Sequence, residues 1–462
     1  MPANLLQKTY SKIENLAFIL LNITMADVCI FGAGRLIEMG PLTFRMVLLL
    51  LLFVLCIPAF FKNMSKLFKS SYIRAVVVFA ILLVFATVIG FVNNNRVGLI
   101  VTDIKGFIYF AFLPCVLVLV DSYEKATVLA KTTMYAGAGQ ALIHIVLICL
   151  HIADLPWFEE FCDFCYERRF FYVSYKISEN NLRVSFLSLI CLLLGVAFSI
   201  YFSTKTTSKA LLIIYPLITA LCGFSLFMSY TRSVYLAVGV MIVLLAVCFL
   251  LRMDKKEKLS VLRHLVITVV AFSIIFIGFG IKTKENYFTY GLSRMLVGID
   301  LFKSGDGGED SEISDEEAEE KDSFHQSTIE SDNIRAMTAR DLIINIKKSP
   351  IIGLGLGSEI PSRPDGLNEY FFLDLFSKMG IIGLLSYLAP VLFIIIQLIQ
   401  LFRRKNKDFV STATWFCILA GLIVYSYFTP CMNSSVGIII YCCVMAVFEI
   451  YKKYNINLEE QL

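Results

Sequence analysis

Charge is scarce in this chain: Asp, Glu, Lys and Arg make up 17% of its 462 residues, whereas 58% are hydrophobic. Soluble domains carry about 25% charge, and a water-soluble reading at this length would need a core far larger than domains build. A soluble enzyme is therefore excluded. Disorder is excluded too, because disordered segments are poor in the apolar residues that fill this chain. The signatures of soluble catalysis are missing as well, with no phosphate-binding P-loop, no zincin helix and no nucleophile elbow. The thirteen cysteines mostly stand singly within apolar runs, where a thiol behaves as a small hydrophobe, so no disulfide framework is expected. The N-terminus runs into an apolar segment without a small-residue cleavage site, so an uncleaved first span is expected.

What the chain does have is long apolar runs, and they predict an all-α polytopic membrane protein. A bilayer core needs about 20 apolar residues per helix. On that measure about twelve transmembrane helices are expected, near 14–32, 43–61, 72–92, 103–121, 128–150, 184–203, 209–229, 233–251, 263–281, 379–402, 409–428 and 432–451. Asp27 interrupts the first of these, and Asp103 and Lys105 the fourth. Cytoplasmic loops collect Lys and Arg. One set of alternate connections and both tails hold 21 bases, and the opposite short loops hold eight. That asymmetry predicts cytoplasmic termini and two long outer loops, at about 152–183 and 282–369.

Three regions follow: a nine-span membrane region at 1–281, a large outer loop at 282–369, and a three-span region at 370–462. The net charge of +4 conceals an acidic insertion at 304–322, which contains ten carboxylates and one lysine. Like charges at that density repel and cannot build a core, so the insertion reads as a solvated spacer. Further along, 333–348 has helical spacing, with Ile334, Met337, Leu342, Ile343 and Ile346 available for one face.

Arginines carry the chemical signal. Arg232 lies at the outer end of a span, where an unpaired positive charge is costly. Arg168 and Arg169 fall in the first outer loop. Arg335 and Arg340 fall in the second, about 140° apart around a helix. Guanidinium groups bind phosphate oxygens bidentately and stay charged at any working pH, so several on one membrane face suggest an anionic headgroup such as pyrophosphate. The alternative is pairing with local acids or lipid phosphates. GLGLGS at 353–358 lacks the strand–helix unit of a dinucleotide loop and reads as a flexible turn. Cys162 and Cys165 form a C-x-x-C pair without the second ligand pair that zinc requires, so a local disulfide or two free thiols is expected.

Four stretches together resemble the O-antigen polymerase/ligase superfamily. SLFMSYTRSVYLAVGVMIVLLAVCFLL looks like the start of its homology region, with a Thr-Arg pair opening a long apolar span. NIRAMTARDLIINIKKSPIIGLGLGS resembles its second signature, with Arg335, Arg340, Pro350, Gly353 and Gly355 in place. LNEYFFLDLFSKMGIIGLLSYL is similar to its His-Asn helix with a Gly-x-x-Gly kink, matched by Asn368, Gly380 and Gly383. RRFFYVSYKISENNLRVSFLSL is similar, more loosely, to the segment before the sixth span, with Arg169 and Asn181 matched. The strong part covers about 225–400.

The resemblance implies a Wzy-type polysaccharide polymerase of O-antigen or capsule in the bacterial inner membrane. Its implied substrate is an undecaprenyl-pyrophosphate-linked oligosaccharide. A chain-length regulator, a flippase and membrane lipids are the further partners, with no cofactor, metal or nucleic acid. Arg232, Arg335, Arg340 and Arg169 would bind the donor pyrophosphate, and Asn368, Glu369 and Asp365 would serve the acceptor. One departure matters: the family's ligases carry histidine where this chain has Leu367. That favours a polymerase over an O-antigen ligase and leaves the base unidentified, with Glu369 and Asp365 the nearest candidates. The other alternative, a lipid-linked oligosaccharide flippase, is disfavoured because no internal repeat is found and the polar residues concentrate in outer loops. None of His144, His151, His264 and His325 is placed to substitute, and His264 reads as cytoplasmic.

Overall fold

The computed structural model describes residues 3–32, 37–39, 42–178, 181–283, 333–364, 366, 368–406 and 408–459. The apolar runs form helices because a backbone in lipid must satisfy every N–H and C=O within its own segment. The first half holds α1 (Ala3–Ile30), α2 (Phe44–Lys69), α3 (Ser71–Val92), α4 (Val97–Phe107), α5 (Phe112–Leu119), α6 (Tyr123–Ile152) and α7 (Phe158–Glu167). After these come α8 (Cys191–Lys205), α9 (Leu211–Met228), α10 (Arg232–Arg252) and α11 (Lys255–Thr283). A helix at 333–348, α12, precedes α13 (Phe371–Arg403), α14 (Phe409–Phe428) and α15 (Ser435–Glu459).

Among the described residues ten helices are long and apolar enough to cross a membrane, and α8 and α15 are shorter apolar helices. Each of the twelve expected spans falls on one of these, with α4 and α5 sharing Val97–Leu119. The protein is thus an all-α polytopic membrane protein. Its core sits around α8 and α15. Every residue of α8 from Cys191 to Ser203 is buried, as are residues 435–451 of α15. Helices apolar all round that lie inside a bundle need no polar face. By contrast α3 and α11 present Val77, Ile81, Phe85, Val269, Ile274 and Ile281 outward, each about half exposed or more, as a lipid-facing helix should.

Two details depart from the expected spans. The sixth begins late: 181–186 is a strand, and the helix starts only at Cys191. That strand, β2 (Asn181–Phe186), pairs antiparallel with β1 (Phe171–Ser178), setting Phe171 opposite Phe186 and Val173 opposite Val184. Aromatic and β-branched residues favour such a pleated pair, and hydrophobicity alone had absorbed part of it into a helix. Asp27, which interrupted the first span, is explained by Arg45 at the start of α2. Its Nε lies 2.7 Å from Asp27 Oδ2, and its Nη1 donates to the Gly32 carbonyl and Ser435 Oγ, each at 2.7 Å. Both charges are buried and paired, so Arg45 is a structural arginine rather than a loop charge.

Candidate active site

The segment 353–358 was expected to be a flexible turn; it is instead largely buried and locked. Gly353, Gly355 and Gly357 all adopt positive φ, at 75°, 83° and 74°, which L side chains tolerate poorly. Backbone also comes too near for a side chain, since a Cβ on Gly355 would lie 2.2 Å from Gly90 N of α3. The turn is bonded on both sides. Leu356 N donates to the Ala86 carbonyl at 3.0 Å, and Asn95 Nδ2 donates to the Leu356 carbonyl at 2.8 Å.

The opposite side of the turn docks into a break in α13. Gly380, at φ 67° and ψ −174°, interrupts that helix, as the kink implied by the family resemblance required. The break frees backbone groups that then bond the turn. Leu354 N and Gly355 N donate to the Ser377 and Lys378 carbonyls at 2.9 and 3.0 Å, and Ile381 N donates to the Pro350 carbonyl at 2.9 Å. The orphan groups of a broken helix and those of an irregular loop thus satisfy each other inside the protein.

Beneath the turn lies a buried charge cluster. Lys378 Nζ stands 2.8 Å from Asp103 Oδ1 and 2.8 Å from Asp374 Oδ2. Asp103 Oδ2 accepts the Gly357 N–H at 2.7 Å, and Asp374 Oδ1 accepts from Asn368 Nδ2. Asn368 is therefore held from below by a chain of charge-assisted bonds that begins on α4. Its other amide atom, Oδ1, is buried without a partner among the described residues, as are Ser358 Oγ, Ser362 Oγ, Arg363 Nε, Ser377 Oγ and Asn433 Oδ1. Buried polar atoms in proteins are nearly always bonded. Unused hydrogen-bonding capacity is thus concentrated around this loop, where a polar ligand or water can use it.

Above it, Glu369 is gripped by two arginines: Arg335 Nε lies 2.6 Å from Oε2, and Arg363 Nη2 lies 2.9 Å from Oε1. Arg335 comes from α12 and is partly exposed, as are Arg363 and Glu369. The loop is tied down elsewhere by Arg96, which pairs with Glu359 and donates to the Pro364 carbonyl, and by Ser362 N, which donates to Asp341 Oδ2 at 3.0 Å. Two guanidinium groups facing one carboxylate form a compact anion-binding pair.

The structure brings Arg335, Glu369 and Asn368 to one loop. Arg340 lies on α12 and is exposed; the expected single apolar face of that helix is divided, with Leu342 buried and Met337 and Ile343 exposed. Arg232 begins α10 beside a turn in which Tyr230 takes φ 49° and the Ser229 carbonyl accepts from Arg183 Nε at 3.1 Å and from Thr231 Oγ1 at 3.0 Å. Arg169 is exposed just past α7 with φ 51°. Asp365 and Leu367, the acidic insertion and His325 lie outside the described residues.

Sequence reading missed Arg363, Asp374 and Lys378, and it took Asp103 only as a blemish in a span. The available signal was the charges themselves, because ionisable residues inside apolar helices face partners or cavities. His264, read as cytoplasmic, is buried in α11 with Nε2 2.9 Å from Thr219 Oγ1. His144 Nδ1 lies 2.6 Å from Ser225 Oγ. Cys162 and Cys165 are free and buried. Burial first, then the Asp163 and Glu159 carboxylates, pushes the Cys162 thiol up to about 11. Burial and then Cys162 push Cys165 up to about 12.

Residues 217–388 match the family model described as O-antigen ligase. That interval agrees with the 225–400 core of the resemblance, and it spans Arg232, Arg335, Arg340, Arg363, Asn368, Glu369 and Lys378. No curated protein matches the chain. The match supports the O-antigen polymerase/ligase superfamily and, with it, a function of the polymerase or ligase type: a membrane glycosyltransferase-like activity.

Proposed function

We propose that the protein is a polysaccharide polymerase that moves a growing glycan from undecaprenyl pyrophosphate to the sugar of a lipid-linked repeat unit. The observation that carries this reading is the Arg335–Glu369–Arg363 cluster beside Asn368, with unused polar atoms around it. Polymerase is favoured over ligase by Leu367, which stands where the resemblance implies a ligase histidine. The site belongs on the outer face, with both termini in the cytoplasm. Contacts between the basic helix ends, such as Lys205 with Glu257 at 2.6 Å and Lys62 with Glu14 at 3.1 Å, support grouping those ends on one side.

In the reaction an acceptor hydroxyl oxygen forms a bond to the donor's anomeric carbon while that carbon's bond to the pyrophosphate oxygen breaks. Negative charge grows on the leaving pyrophosphate, and fixed guanidinium groups stabilise it. In the resting site Glu369 occupies the anion position between Arg335 and Arg363. Pyrophosphate competes for the same two arginines, and its arrival frees the Glu369 carboxylate to accept the hydroxyl proton. One group thus serves as placeholder and then as base. Asn368, fixed through Asp374, is positioned to bond the acceptor. Arg232, Arg340 and Arg169 extend the donor-facing positive surface.

The test uses purified protein in vesicles with lipid-pyrophosphate-linked repeat units and no nucleotide sugar. Glycan ladders should form, and Arg335→Ala should abolish them, with Arg335→Lys restoring only part because the planar fork is lost. Glu369→Gln should bind a lipid-pyrophosphate analogue more tightly than wild type yet turn over far more slowly. Weaker analogue binding in Glu369→Gln would refute the placeholder role, and transfer only to lipid A–core would make the protein a ligase.

A further inference from the structure

At the basic end of the bundle, where α2 meets α3 and α5 gives way to α6, a cavity of about 210 Å³ opens beside α15. It is far larger than one water requires. Its walls carry charges of both signs. Glu449 reaches it from α15 and is only 8% exposed. Its carboxylate accepts from Ser70 Oγ at 3.2 Å and makes no ion pair among the described residues. Lys66 lines the same cavity, is exposed, and also makes no ion pair among the described residues. Asp121 at the rim is already paired with Lys125 at 3.0 Å. Leu117 and Val118 supply an apolar wall.

A buried carboxylate is costly unless a cation or several donors meet it. Here one cavity is lined by a buried acidic side chain and an exposed basic one that do not pair with each other. The complementary ligand is a dipole of matching size with N–H donors at its positive end and an acid group at its negative end. The cavity also opens among the ends of membrane-crossing helices, at the level where lipid headgroups lie. We propose that it seats the headgroup of a zwitterionic aminophospholipid, with the primary ammonium on Glu449 and Ser70 and the phosphate at Lys66. A primary ammonium brings three N–H donors to those oxygens. A trimethylammonium brings none, and an anionic lipid leaves Glu449 uncompensated.

The experiment uses the full-length purified protein, stripped of lipid and returned to nanodiscs containing phosphatidylethanolamine, phosphatidylcholine or phosphatidylglycerol. Native mass spectrometry counts retained lipid, and a melting curve reports stability. Phosphatidylethanolamine should be retained in preference to the other two and should raise the melting midpoint. Glu449→Gln should erase the preference for phosphatidylethanolamine over phosphatidylglycerol. Lys66→Ala, at an exposed position that leaves the fold intact, should lower retention of both. Equal retention of all three lipids by the wild type would overturn the proposal. So would an unchanged preference in Glu449→Gln, or undiminished retention in Lys66→Ala.

Discussion

Replacing Lys378 with methionine should be among the most damaging single changes in the protein. Its ammonium lies 2.8 Å from both Asp103 and Asp374, and the three side chains are 5%, 10% and 14% exposed. The cluster as it stands sums to one negative charge; without the lysine two buried carboxylates face each other. Removing one partner from a buried ion pair costs about 3–5 kcal/mol, a large share of the roughly 5–15 kcal/mol that holds a protein folded. Asp103→Asn keeps the Lys378–Asp374 pair and leaves an amide oxygen for Gly357 N–H. It forfeits one charged bond, worth about 1.5–3 kcal/mol. The triple variant Asp103→Asn, Lys378→Met, Asp374→Asn carries no charge in this cluster and should recover much of the loss, because residues in one network are not additive. The assay is the melting midpoint of the purified protein in nanodiscs, together with membrane abundance, across the three variants. A wild-type midpoint for Lys378→Met, or a larger loss for Asp103→Asn, would refute the charge argument.

Gly355→Ala should prevent the turn from docking, since its Cβ meets backbone atoms of Gly90 at 2.2 and 2.6 Å that cannot swing aside; the stability loss of about 1–3 kcal/mol from overpacking alone is read as a lowered melting midpoint. Cys162 and Cys165, with thiols pushed up to about 11 and 12, stay protonated through neutral pH. Their alkylation, followed by mass spectrometry, should be slow at pH 7.5 and accelerate as the pH rises toward 11, whereas fast labelling at neutrality would contradict their burial. Deleting 304–322 should leave glycan ladders largely intact, and loss of ladders at normal protein abundance would make that acidic stretch a working element.

How much of this molecule could be read before its structure depended on how local each determinant is. The spans were legible because lipid imposes one condition on every stretch of 20 residues, and each stretch satisfies it alone. The β1–β2 hairpin was not, because Phe171, Val173, Val184 and Phe186 are as apolar as any helix residue, and only their pairing makes them strands. At the site, Arg335, Asn368 and Glu369 stood out through motifs that lie near one another along the chain. Arg363 had no motif to announce it, and its importance comes from sharing Glu369 with Arg335.

The charges within spans mark the boundary most clearly. Asp27 and Asp103 looked alike in sequence, each a lone acid interrupting an apolar helix, and each was bound to have a partner because lipid would not tolerate it otherwise. Which partner decides what the residue is for, and that is a property of the packed bundle. Asp27 meets Arg45 only 18 residues on, in a buried pair in which all three guanidinium nitrogens donate. Asp103 meets Lys378 across 275 residues of chain, and through Lys378 and Asp374 it reaches Asn368, whose side-chain oxygen has no partner among the described residues. The same chemical necessity therefore produces a structural staple in one place and the support of a candidate active site in the other.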